Sequence, residues 1–103
     1  MVRFERSVRT KPGKMGEALA WANEVAKYIN DRSPDGNDVL VFNQLFGEVG
    51  AVGWFVDTAN LNDLNVMMSD LAADEKYWAV VNKGADLLVE ATAQDRLWQQ
   101  VPA

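Results

Sequence analysis

The chain has 103 residues, 49% of them hydrophobic, a net charge of −5, and neither Cys nor His. That is the size of one domain, 1–103, with apolar residues enough for a core, and its acidity leaves no basic stripe to displace counterions from nucleic acid. Without Cys or His there is no disulfide, no zinc site of those ligands, no His-ligated haem, and no Ser-His-Asp or Cys-His nucleophile.

In "VRFERSVRT", Val2, Phe4, Arg6 and Val8 alternate with Arg3, Glu5, Ser7 and Arg9. Alternation of this kind predicts a strand with two distinct faces. Pro12 and Gly13 then break the strand and suit a helix start. From about Lys14 to Asp31 the apolar period becomes 3.6, through Met15, Leu19, Ala22, Ala26 and Ile29, with Trp21, Val25 and Tyr28 widening the stripe. "RSPDGND" is a turn cluster and ends the helix.

A hairpin follows, with strands Val39 to Phe46 and Ala51 to Val56 turning near "GEVG" and apolar residues on both faces of each. Asn60 or Asn62 is expected to cap a short helix carrying Leu64, Met67, Met68 and Leu71. Asp74 is expected to cap the next, in which Tyr77, Val80, Val81, Ala85 and Leu88 keep helical spacing. A weaker final strand is expected in "EATAQDRLWQQV".

The order strand, helix, strand, strand, helix, strand is the ferredoxin-like βαββαβ arrangement of the α+β class. It predicts a four-stranded antiparallel sheet with its helices on one face. The other face of the doubly apolar hairpin then needs a cover, and a second copy supplies it by two-fold symmetry. The expected partner is therefore another copy of the chain, in a homodimer; a monomer with an apolar sheet face is the alternative.

Three segments resemble the dimeric α/β-barrel superfamily, and within it the NIPSNAP-like members most. "RSVRTKPGKMGE" is similar to their strand-into-helix segment, "LFGEVGAVGWFVDTANLNDL" to their hairpin and descent into a helix, and "ADEKYWAVVNKGADLLVEATAQDRLW" to their last helix and strand. Val8 departs from the aromatic that such proteins often carry two positions after the Arg. The resemblance implies two sheets paired around a barrel-like interior and a pocket for a small organic molecule. It also brings in cofactor-independent monooxygenases and cyclases acting on aromatic or polyketide-like compounds.

The ligand-binding candidates are Arg6, Asn43, Trp54, Tyr77 and Trp78. Arg6 shares a face with apolar residues, so its expected partner is a ligand anion, a protein acid or ordered water in a cavity. Asn43, like Gln44, either binds a substrate oxygen or lies where the strand meets solvent. Trp54, Trp78 and Trp98 either wall a flat ligand or pack in the core or an interface. No residue is singled out as catalytic, and whether the protein is an enzyme stays open. No metal and no cofactor is expected; the possible partner besides the second copy is a small hydrophobic or aromatic ligand. With no signal-like segment and no apolar run near the ~18 residues of a membrane span, a cytoplasmic protein without membrane or nucleic-acid partners is expected. The third reading is a structural dimer without ligand.

Overall fold

The computed structural model describes residues 1–33, 36–47 and 49–102. Pro34 and Asp35 of the expected turn, and Glu48 of the expected hairpin turn, lie outside the described residues.

The chain runs β1 (Val2–Arg9), α1 (Met15–Arg32), β2 (Leu40–Asn43), β3 (Ala51–Thr58), α2 (Leu61–Ala72), α3 (Glu75–Asn82), a 3-10 turn (Ala85–Leu87) and β4 (Gln94–Gln99). The strands form one antiparallel sheet in the order β2-β3-β1-β4. This is the ferredoxin-like α+β arrangement.

Register fixes the two faces. Phe4, Arg6 and Val8 pair with Val56, Trp54 and Val52, so these residues share the face under the helices. Its core includes Trp21, Ala22, Val25, Ala26 and Ile29 from α1, with Val52, Val56, Leu64 and Leu71. Trp21 and Val25, which only widened the expected stripe, are buried, while Met15 and Leu19 are partly exposed and pack at its margin. Ala18 and Ala22 let α1 lie close to its neighbours, since neither has any exposed surface.

The opposite face carries Arg3, Glu5, Ser7 and Arg9 of β1 against Asp57, Phe55, Gly53 and Ala51 of β3. At the β2–β3 end it is apolar: Phe42 stacks on Phe55 with ring centroids 4.8 Å apart, and Leu40 and Phe42 are exposed. Toward β4 it becomes mixed. Arg3 pairs with Asp57 at 2.8 Å, and Trp98 donates to Glu5 Oε1 at 3.1 Å.

The helix caps follow expectation. Asn60 Oδ1 accepts from Asp63 N at 2.9 Å, and Asp74 Oδ1 accepts from Lys76 N at 3.0 Å. Asp74 also accepts from the Tyr28 hydroxyl and from Arg32, which ties the start of α3 to the far half of α1.

Three boundaries differ from the sequence reading. The strand expected to reach Phe46 stops at Asn43. Gln44 donates its Nε2–H to Phe46 O at 2.8 Å, and Gly47 and Gly50 take positive φ, so Leu45 and Phe46 stand out in the turn. The helical spacing expected to run on to Leu88 breaks after Asn82. The final strand begins at Gln94 instead of Glu90. Before it, Ala91 sits at φ 60°, and the Thr92 hydroxyl accepts from Arg9 N while donating to Val89 O.

Candidate functional site

Between the sheet and the helices lies a cavity of about 420 Å³. Its floor is the sheet, with Phe4, Arg6 and Val8 from β1 and Trp54 and Val56 from β3. One wall is α1 (Trp21, Val25, Ile29); the other is α2 and α3, with Met67, Met68, Leu71, Tyr77, Trp78 and Val81. Ala93, exposed ahead of β4, lies at the edge of the lining. The volume falls in the range of about 300–1,000 Å³ usual for small-molecule pockets.

The aromatic wall is fixed by its own hydrogen bonds. Trp54 donates Nε1–H to Ala22 O at 3.0 Å, which bolts the sheet floor to α1. Trp21 donates to Val80 O at 3.0 Å and bolts α1 to α3. Those two indoles meet edge to face, with centroids 5.3 Å apart. Trp78 donates to Ala72 O at 2.9 Å, closing α3 onto the end of α2, and Tyr77 meets it edge-on at 5.2 Å. All three indole N–H groups around the cavity are therefore engaged by backbone oxygens.

Among the described residues that line the cavity, Arg6 alone is charged. Its guanidinium grips Asp95 as a two-pronged fork, Nε to Oδ1 and Nη2 to Oδ2, each at 2.8 Å. The pair follows from register, since Arg6 faces Asp95 across β1 and β4. It is not dry: the two side chains are 40% and 47% exposed. The Arg6 hydrogen bonds hold the Asp95 carboxyl below its usual range, and Asp95 in turn raises Arg6. Arg6 also lies over the Phe4 ring, 5.5 Å from its centroid. Burial pushes the Tyr77 hydroxyl up, against a smaller opposing effect of Arg6, so it carries its proton at neutral pH. It makes no hydrogen bond with the described residues.

Arg6, Trp54, Tyr77 and Trp78 are thus brought together on one cavity, from three elements distant in sequence. Asn43 is not with them. It sits exposed at the end of β2, opposite Val52, and does not line the cavity. Gln44 serves the hairpin turn. Trp98 lies on the sheet's other face. Asp95 and the methionines Met67 and Met68 were not singled out as site residues by sequence. The only signal for Asp95 was the need of Arg6 for an acid, which did not say which one.

The fold and the cavity define an α+β ferredoxin-like domain with a pocket between sheet and helices. Solved structures share that architecture. A NIPSNAP family protein from Agrobacterium tumefaciens str. C58 is 22% identical, with a TM-score of 0.76, over 97% of this chain and 92% of that one. An uncharacterized NIPSNAP domain protein from Burkholderia xenovorans is 19% identical, with a TM-score of 0.78, over 100% and 95%. An antibiotic biosynthesis monooxygenase is 14% identical, with a TM-score of 0.70, over 99% and 100%. The expected likeness to NIPSNAP proteins thus holds at the level of the fold. No protein-family model matches the chain, and no curated protein does.

Proposed function

We propose that the protein binds a small aromatic or otherwise hydrophobic organic molecule in the cavity between its sheet and its helices. The carrying observation is that cavity: about 420 Å³, apolar on nearly every side, walled by Trp54, Tyr77 and Trp78, with Arg6 at its floor. Pockets of this make-up take ligands by apolar burial and orient them with a few polar groups. Isothermal calorimetry with acetonaphthone, a naphthalene ring bearing a methyl ketone, tests the reading. Wild type binds it, and Ala93→Trp, which puts an indole at the exposed edge of the lining, weakens binding at least about tenfold. Equal binding by both proteins, or none by wild type, counts against the cavity.

The chain works, in this proposal, as a homodimer joined through the helix-free sheet face. The support is the exposed apolar cluster of Leu40 and Phe42, with Phe42 stacked on Phe55, on a face that the chain's own helices do not cover.

A second reading is cofactor-independent oxygenation of an electron-rich aromatic compound. It is favoured by the fold shared with an antibiotic biosynthesis monooxygenase and by the aromatic walls of the cavity. Oxygen uptake with a panel of quinols tests it; binding without uptake leaves the first reading alone.

A further inference from the structure

The polar groups around the cavity divide into those already engaged and those still open. The indole N–H groups of Trp21, Trp54 and Trp78 each hold a backbone oxygen. Both prongs of the Arg6 fork hold Asp95. What stays open is the Tyr77 hydroxyl and the Arg6 Nη1, which makes no hydrogen bond with the described residues. Nη1 offers only N–H donors, while a protonated phenol donates one hydrogen bond and can also accept. A ligand that satisfies both groups through one atom therefore supplies an acceptor, such as a carbonyl or carboxylate oxygen.

Charge decides which acceptor. An Arg at the floor of an apolar cavity, taken alone, is a carboxylate receptor. Here that role is filled from within the chain. A ligand carboxylate would have to evict Asp95 from the fork, or sit beside it with two like charges sharing one guanidinium, and such juxtaposition costs affinity. A ketone or quinone oxygen meets no such repulsion.

We propose that Asp95 is a specificity-determining residue, one that by occupying the fork of Arg6 makes the cavity select neutral aromatic carbonyl compounds over the corresponding carboxylates. The inference rests on the cavity being the ligand site.

The test compares three probes on one ring: naphthalene, acetonaphthone and naphthoate, titrated by calorimetry at pH 7 into wild type, Asp95→Asn and Tyr77→Phe. Asp95→Asn keeps the shape and releases the charge of Arg6. The expected results are a wild-type preference for acetonaphthone over naphthoate of at least about tenfold, and a shift of that ratio toward naphthoate by about tenfold or more in Asp95→Asn. Tyr77→Phe weakens acetonaphthone several-fold and leaves naphthalene unchanged. A wild type that binds naphthoate as well as acetonaphthone overturns the proposal, as does an Asp95→Asn ratio equal to that of wild type. In either case, binding of naphthalene keeps the cavity as a ligand site. If none of the three probes binds wild type, the cavity reading itself falls and the selectivity falls with it.

Discussion

Replacing Arg6 by Met keeps an unbranched side chain and removes the guanidinium that grips Asp95 and lies over the Phe4 ring. If the pair were dry, breaking it would strand a buried carboxylate and cost about 3–5 kcal/mol. It is not dry. With side chains 40% and 47% exposed, solvent screens the attraction and rehydrates the freed carboxylate. The geometry is good, bidentate at 2.8 Å, so the upper end of the range for exposed pairs applies, about 1 kcal/mol. For a domain this size that lowers Tm by about 4–8 °C. The assay is urea unfolding of wild type, Arg6→Met, Asp95→Asn and the double variant, with the coupling energy read from the cycle. The pH dependence has a definite sign. Asp95 is held below its ordinary value of 3.8 in the folded chain, so the pair contributes fully above that value. The contribution disappears as pH falls below 3.8 and through the lowered folded value, so the gap between wild type and Arg6→Met closes there. A loss of about 3 kcal/mol or more at neutral pH refutes the solvated-pair reasoning, as does a gap that persists in acid.

Gly84→Ala would put a methyl 2.1 Å from Trp21 Cε2, so α1 and the α3 end must part; the expected cost is about 1–3 kcal/mol by urea unfolding, and no change means the packing there is looser than described. Asp74→Ala removes the α3 cap together with the acceptor for Tyr28 and Arg32, so Tm falls by several degrees in thermal unfolding; an unchanged Tm contradicts that role. Phe42→Lys places a charge on the exposed apolar end of the helix-free face. Sedimentation equilibrium at micromolar protein should give twice the chain mass for wild type and the single-chain mass for the variant, and a wild-type monomer ends the dimer proposal.

Much of the architecture was legible because it rests on local period. The β1 alternation placed Arg6 with Phe4 and Val8, and that is its observed face. The stripe of α1 and the caps at Asn60 and Asp74 are likewise set by a few neighbouring residues. What local pattern could not show was set by contacts far along the chain. The helical spacing from Val81 to Leu88 runs without interruption through Gly84, and only the Trp21 ring against that glycine reveals why no side chain fits there. Leu45 and Phe46 read as strand because they are apolar, whereas the turn takes them out of the sheet. Asn43 shares the helix-side face with Val52 and Trp54, so period alone made it a candidate; its position at the strand end takes it away from the cavity. Arg6 was legible as needing a partner, but the choice of Asp95 depended on the β1–β4 register, which the weak alternation of the last segment did not determine.

The ligand site is tested most directly by the indole N–H signals of the four tryptophans in a nitrogen-15 correlation spectrum. Trp54 and Trp78 line the cavity, while Trp98 lies on the opposite face of the sheet. With saturating acetonaphthone in the cavity, the Trp54 and Trp78 signals shift and the Trp98 signal stays in place. A shift of Trp98 with Trp54 and Trp78 unmoved, or no shift in any of them, contradicts binding in the cavity.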